Sequence, residues 1–562
     1  MFRARQYLLF FLLIAALVSL LIRLFFLQVL QFDNFAEMAQ DQHNKVLKVE
    51  ARRGTIFDRR KEPLAINLDV LSVYADPRSI KQKETTAEIL GGILNLDKAG
   101  LQKKLGRDKS FIWIKRKIDE DSVREIRAEK LTGVHFLTES RRSYPSDNTA
   151  SHIVGFAGMD NNGLEGLEMV FDDKLKGTPG WRHLVRDAKR RTVMFNDAKS
   201  VPAENGHNLL LTIDGVIQYV AEEEIRKMAV KYNASGATAV VMDPHTGEIL
   251  AMASYPDYDL NDFSNTPRDI MKNSAVSSIY EPGSVFKIVA ASAALNEGTV
   301  QLEDEFDCEN GEYRVGGRVL HDYHSYGNLS FIDVIAKSSN IGTVKVAQDL
   351  GEDKLYEYIE GFGFGSKTGI DLPGEVAGIS RPPSRWSRSD ITTIPMGQGI
   401  AVTPVQLASA ISVIANGGYL MKPYVVDSVT NWEGDVIESF GPVQKRKVLD
   451  EETCDKMIKI LRRVVTDGTG RRAKSRKYAV CGKTGTAQMV NPAGGYYDNK
   501  YYATFIGFAP EEDPRICVVV IARDPHPVYF GGSVAGPAFR RIAERTLQYL
   551  GVKPSPREQN DR

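Results

Sequence analysis

The chain has 562 residues, 43% hydrophobic and 26% charged, so it is too long for a single core and too apolar to be disordered. Lysine plus arginine and aspartate plus glutamate both total 72, leaving zero net charge and no basic excess that would point to nucleic acid. Four cysteines at irregular spacing form neither a zinc pattern nor a disulfide framework. Cys481 and Cys517 lie in apolar runs and read as buried thiols, while the sequence does not fix the state of Cys308 and Cys454.

Arg3 and Arg5 precede an apolar run over residues 7–22, broken by Arg23 and resumed over 24–27. As a helix this run spans about 31 Å, enough for a bilayer core, and Arg23 can snorkel to the interface. A cleaved leader would have a shorter apolar region and small residues at its end, whereas Glu37 and Met38 interrupt the nearby alanines. The expectation is a cytoplasmic tail over 1–6, a membrane helix over 7–30 and export of everything that follows. Residues 31–50 read as a polar, helix-forming stalk.

Residues 51–204 have a mixed texture, with helical spacing over 84–105 and 119–129. No catalytic set assembles there, and Arg141, Arg142 and Glu165 read as an ion-paired framework. The polar stretch 201–208 contains Pro and Gly and reads as a linker into a domain over 205–552, with a tail over 553–562. In that domain Asp214 is placed to cap a helix running to about Val230. Asp243-Pro244-His245-Thr246-Gly247 separates two apolar runs as a hairpin turn. Two further strands are expected over 502–508 and 516–522, and a closing helix over 537–550. Strands at both ends with helices between them predict an α/β (α+β) domain, a central antiparallel sheet flanked by helices.

Three short motifs carry the chemistry: Ser284-Val285-Phe286-Lys287, Ser338-Ser339-Asn340 and Lys483-Thr484-Gly485. On a helix, Lys287 falls one turn beyond Ser284 on the same face. Ser338 and Asn340 can both enter one cleft from a turn. The apolar stretch 478–481 reads as a strand leading into Lys483, and Gly485 leaves room for a substrate backbone. Singly these motifs are a surface serine, a capping serine and a turn lysine. Together they could supply a nucleophile, a base, a proton relay and a clamp for an anion. No histidine lies in any motif, so Lys287 is the base, provided that burial and the neighbouring Lys483 cation lower its pKa. His321, Asp322, His324 and Ser325 lack a third metal ligand and read as a polar loop on the cleft rim. Asp467-Gly468-Thr469-Gly470 lacks the spacing of a phosphate loop and reads as a turn.

The ordered trio resembles that of the penicillin-binding proteins. The likeness extends to the stretch 53–59, to Arg142-Ser143-Tyr144-Pro145, to the stretch 163–168, to Met396-Gly397-Gln398-Gly399 and to the stretch 503–510. It is similar to a class B, division-type D,D-transpeptidase, with one departure at Arg60-Lys61, where the family usually has Asn-Gly in a pedestal turn. The resemblance implies a non-catalytic, dimerisation-type pedestal below a transpeptidase domain, with no glycosyltransferase, cofactor or metal. Ser284 would attack stem peptides ending in D-Ala-D-Ala, and β-lactams would acylate the same serine. Ser338 would relay the proton and Asn340 would hold Lys287. Lys483, Thr484 and Thr486 would bind the terminal carboxylate, and the backbone N–H groups of Ser284 and Thr486 would form the oxyanion hole. Expected partners are a multi-span glycan polymerase and other division proteins of the inner membrane. A D,D-carboxypeptidase and an elongation-type transpeptidase stay open as alternatives.

Overall fold

The computed structural model describes residues 2–33, 44–186, 192–315 and 317–555. They divide into two compact units, and the stretch 51–204 is shared between them. The first unit holds residues up to Arg52 together with Gly177–Gly206. Its helix Phe2–Phe25 continues as a π-helical turn, Phe26–Leu30. Within these 29 residues an 18-residue stretch has a mean hydropathy of 2.8 with none of it buried, so the helix is long and apolar enough to cross a membrane. The same unit contains an antiparallel sheet of Asn44–Val49, Gly180–Arg186 and Thr192–Val201. The helical stalk expected over 31–50 is therefore corrected at Asn44–Val49, which is a strand because a distant segment pairs with it; residues 34–43 lie outside the described residues. The stretch 201–208 is not a free linker. Thr178 and Glu204 exchange both backbone hydrogen bonds, at 2.8 and 2.9 Å, and the Gly206 N–H donates to the Arg52 carbonyl.

The second unit holds Arg53–Lys176 and the chain from His207 onward. In its first part the strand Pro63–Ala75 pairs with Ile112–Ile118 and Val134–Ser143. The stretch 84–105 is two helices, Lys83–Leu94 and Lys98–Leu105. Asn95 turns left-handed (φ 51°), and the Asp97 carboxylate then caps the second helix by accepting from Ala99 and Gly100 N–H. The ion-paired framework is centred on Glu168 and not on Glu165. Fully buried Glu168 accepts from Arg53 Nε and Arg142 Nε, while Arg53 also donates to Asp172 and Arg142 to the Gly54 carbonyl. Arg141 is exposed. The departure at Arg60-Lys61 has a backbone consequence: Lys61 sits at φ 66°, in a turn whose Arg60 and Glu62 N–H groups donate to Asp58 Oδ1.

The larger part of this unit is built on five antiparallel strands, β1 (Gly236–Met242), β2 (Ile249–Tyr255), β3 (Cys481–Val490), β4 (Tyr496–Ala509) and β5 (Ile516–Arg523), in the order β2-β1-β5-β4-β3. Alternate residues enter two cores: Val240, Ile506 and Val519 on one face, Ala239, Phe505 and Val518 on the other. Helices α1 (Gly215–Lys231) and α2 (Gly531–Tyr549) cover the second face, and Pro404–Ala415 covers the first. Asp214 caps α1 as expected, accepting from the Val216 and Ile217 N–H groups. α2 begins six residues before Pro537, which lies inside it. The carbonyl of Ser533 that a residue-537 amide would have bonded accepts instead from the Tyr232 hydroxyl at 3.1 Å, so the proline is tolerated.

Candidate active site

Each motif is held by a local backbone device. Gly283–Phe286 forms a 3₁₀ turn that runs into the helix Lys287–Asn296, so the first motif spans a helix junction and not a continuous α-helix. In 3₁₀ geometry i and i+3 eclipse, which keeps Ser284 and Lys287 on one side. The turn is buttressed by the Met396-Gly397-Gln398-Gly399 stretch. Gly283 N–H donates to the Gly397 carbonyl (3.1 Å), and Gly399 N–H to Glu281 Oε1 (2.8 Å). A Cβ on Gly397 would come within 2.2 Å of the Gly283 carbonyl oxygen, so a glycine is required there.

Ser338 stands between two helices, Phe331–Ala336 and Asn340–Leu350. The first ends in a Schellman turn: Ser339 N–H donates to the Val334 carbonyl and Ser338 N–H to that of Ile335. Ser338 occupies the left-handed position (φ 60°) that usually takes glycine. Ser339 then caps the second helix, accepting from Gly342 N–H at 3.0 Å. Positive φ in a non-glycine residue costs about 1–2 kcal/mol, and here it directs both the carbonyl and the hydroxyl of Ser338 at lysines.

The strand expected over 478–481 begins at Cys481 and carries the third motif itself, as the edge strand β3. Lys483 and Gly485 share one face of it and Thr484 and Thr486 the other. A Cβ on Gly485 would lie 2.9 Å from the Pro282 carbonyl oxygen and from Val285 Cγ1. That glycine admits the turn that carries Ser284, so the close approach expected of a substrate backbone is made here by the chain itself.

Both lysines are fully buried. Lys287 Nζ donates to the Ser338 carbonyl (2.7 Å), Asn340 Oδ1 (2.8 Å) and the Ser339 carbonyl (3.1 Å), and lies 3.3 Å from Ser338 Oγ. Lys483 Nζ reaches the same hydroxyl from the other side at 2.9 Å, and donates to the Thr484 carbonyl at 3.1 Å. Ser284 is half-buried, and among the described residues its hydroxyl has no hydrogen bond to Lys287. Burial brings the Lys287 ammonium down to about 7, with Asp322 and the Cys308 thiol pulling the other way. Burial, then repulsion from Lys287, holds Lys483 well below its ordinary value. Of the two expected causes, burial brings Lys287 down, whereas the repulsion between the two lysines falls on Lys483.

Neither threonine hydroxyl hangs free. Thr484 Oγ1 lies 2.6 Å from Thr469 Oγ1, in the Gly-rich turn, and Thr486 Oγ1 accepts from Gly531 N–H at 3.0 Å. Sequence reasoning missed Thr469, Gly531 and Glu281 as supports, since each reaches the site only through tertiary packing. It also left Asp322 on the rim, whereas its carboxylate accepts from Asn340 N–H. His324 and Ser325 are exposed loop residues, as expected.

Residues 237–544 match the penicillin binding protein transpeptidase domain and residues 48–211 the penicillin-binding protein dimerisation domain. The chain is 38% identical to stage V sporulation protein D of Bacillus subtilis, covering 98% of this chain and 86% of that protein. It is 32% identical to the peptidoglycan D,D-transpeptidase FtsI of Escherichia coli, covering 96% and 90%. Penicillin binding protein 3 of Mycobacterium tuberculosis, solved with aztreonam, superposes with a TM-score of 0.72 at 28% identity, covering 91% of this chain and 98% of that one. With both domains matched and the relatives aligned along nearly its whole length, the chain belongs to the class B penicillin-binding proteins, the peptidoglycan D,D-transpeptidase family.

Proposed function

We infer that this protein cross-links peptidoglycan stem peptides by serine acyl transfer. The carrying observation is the placement of Ser338 Oγ between two buried lysine amines, 2.9 and 3.3 Å away, with no carboxylate hydrogen-bonded to either among the described residues. A buried lysine without an acid partner deprotonates near neutral pH and can act as a base. In this reading Ser284 Oγ attacks the carbonyl of the penultimate D-Ala and its proton passes to Lys287. Ser338 returns a proton to the departing D-Ala amine. The amine of a neighbouring stem then displaces the ester, restoring the serine hydroxyl. Asn340 holds Lys287, while Lys483, Thr484 and Thr486 take the terminal carboxylate, with Gly485 between them. Backbone N–H groups of Ser284 and Thr486 face the oxyanion, each such donor being worth about 3 kcal/mol. β-Lactams acylate the same serine, and no cofactor or metal takes part.

The apolar helix Phe2–Leu30 anchors the enzyme in the inner membrane, and the charge of Arg3 and Arg5 keeps its N-terminus cytoplasmic, placing the catalytic domain outside. The tail ends at residue 6, the membrane helix covers 7–30, the stalk 31–50, the pedestal 51–204 and the transpeptidase domain 205–552. Glycan strands come from a multi-span polymerase, because the pedestal leaves no room for a glycosyltransferase. The enzyme serves the division septum. A sporulation-wall role is the second reading, favoured by the 38% identity to stage V sporulation protein D.

Fluorescent penicillin should label the wild-type protein and not Ser284→Ala; equal labelling of both would move the nucleophile elsewhere. On purified glycan substrate, cross-linked dimer is the expected product, and a preponderance of trimmed monomer would make the enzyme a D,D-carboxypeptidase. Depletion should give filaments with unfinished septa. Swollen cells that divide would assign it to elongation, and a defect confined to spores would assign it to the spore wall.

A further inference from the structure

Asp322 lies outside all three motifs, at the end of the hairpin strand Arg318–His321, which pairs with Glu312–Val315. Its own N–H donates to the Gly311 carbonyl at 3.1 Å, which fixes the loop. Its carboxylate reaches the second motif twice and the residue that follows it once. Oδ1 accepts from the Asn340 and Ile341 N–H groups at 2.5 and 3.2 Å, and Oδ2 accepts from the Ser339 hydroxyl at 2.6 Å. The preceding residue takes part too, since the His321 carbonyl accepts from Asn340 Nδ2 at 2.9 Å. That bond fixes the Asn340 amide with Oδ1 turned to Lys287.

Helix capping alone does not require this arrangement. Ser339 already caps the helix by accepting from Gly342 N–H, and a serine cap suffices for many helices. The added carboxylate brings a full negative charge to within one residue of the lysine's ligands. The charged and titratable groups around Lys287 are Lys483 from β3, Asp322 from the hairpin and the Cys308 thiol from the turn before Glu309; Asp322 and Cys308 act on Lys287, whereas the repulsion between the two lysines falls on Lys483. Asp322 is the carboxylate in that set, and it makes no hydrogen bond to Lys287 among the described residues. It can therefore bias the lysine toward its charged form without locking it there, as a direct ion pair would.

We propose that Asp322 is a positioning residue for acyl transfer, holding Ser339 and Asn340 in register and setting with its charge the pH at which Lys287 becomes a free base. The proposal rests on Lys287 being the base, as read above. Asp322→Asn is the discriminating variant. The amide oxygen can still accept from the two backbone N–H groups, and its nitrogen can donate to Ser339 Oγ, whose own hydrogen has the Cys308 sulfur 3.3 Å away. Geometry is kept and the charge is lost. Removing an anion destabilises the ammonium, so Lys287 should deprotonate at lower pH.

The measurement is the second-order rate of penicillin acylation of the full-length protein against pH. The acidic limb of Asp322→Asn should move down by about half to one pH unit relative to wild type. A limb that stays in place, or moves up, overturns the proposal even if the rate falls. Asp322→Glu keeps the charge while changing the reach, so its limb should stay within about 0.2 pH unit of wild type as its rate drops several-fold. A Glu limb displaced downward overturns the proposal equally, and that variant decides the matter should Asp322→Asn fail to fold. A wild-type profile with no acidic limb near neutral would instead remove Lys287 from the role of base.

Discussion

Among the described residues two places bury cations almost completely, and they do so in opposite ways. At the start of the second unit Arg53 is 1% exposed, and its guanidinium is tied to Glu168 and Asp172. Burial pulls its pKa down, but the two carboxylates more than compensate and hold it above the ordinary arginine value. In the site, Lys287 and Lys483 are 0% exposed and bonded only to carbonyls, an amide oxygen and a hydroxyl. Neutral acceptors cannot offset the lost hydration of a charge, so both ammonium groups are destabilised. A buried cation beside a carboxylate is held charged as a strut, and one among neutral acceptors is poised to lose its proton, the property the proposed mechanism uses at Lys287. The residue types agree: arginine stays charged whatever its surroundings, and lysine yields its proton.

The largest effect should come from putting the strut's chemistry into the site. Lys287→Arg keeps a cation that cannot deprotonate, and penicillin acylation measured by stopped flow should fall by about 10³-fold or more. An Arg variant acylating at the wild-type rate would break the comparison. Removing the acid from the strut comes next. Glu168→Ala leaves Arg142 buried without its carboxylate and Arg53 with Asp172 alone, so unfolding free energy should drop by about 3–5 kcal/mol in denaturant titration. Below its melting point that variant should label with penicillin normally, since Glu168 does not touch the site.

A subtler exchange supplies the missing acid. Asn340→Asp would set a carboxylate 2.8 Å from Lys287 Nζ and raise the lysine's pKa by about 1–3 units. In the proposed mechanism the free base is the active form, so in the wild type the acylation rate should fall about tenfold per pH unit below about 7, the value to which burial brings Lys287. In Asn340→Asp that acidic limb should move upward, leaving about a fifth to a five-hundredth of the activity at pH 7. An unchanged limb would mean that the neutrality of the ligands is not what makes Lys287 a base. The smallest effect contrasts two left-handed residues, Lys61 at φ 66° in a turn and Ser338 at φ 60° in the site. At Lys61 that conformation closes the turn through a backbone bond, its N–H donating to the Asp58 carbonyl at 2.9 Å, which a glycine keeps, so Lys61→Gly should stabilise by about 0.5–1 kcal/mol with labelling unaltered. A loss of stability there would show that the Lys61 side chain contributes more than the strain costs.

The sequence by itself determined what depends on local pattern and residue chemistry. The apolar run after Arg5, the Asp214 cap, the hairpin around Asp243–Gly247 and the strands flanking Glu511 were legible because periodicity and turn residues act over a few positions. The three motifs were legible because their residue types suit acyl transfer in a fixed order. Tertiary structure decided the rest. Asn44–Val49 is a strand because Gly180–Arg186 pairs with it, and α2 passes through Pro537 because the Tyr232 hydroxyl takes up the freed carbonyl. Gly485 and Gly397 are required by a turn that crosses them from elsewhere in the chain. Asp322 entered the site, and the repulsion between the two lysines fell on Lys483 and not on Lys287, because charge acts through space and has no period in the sequence.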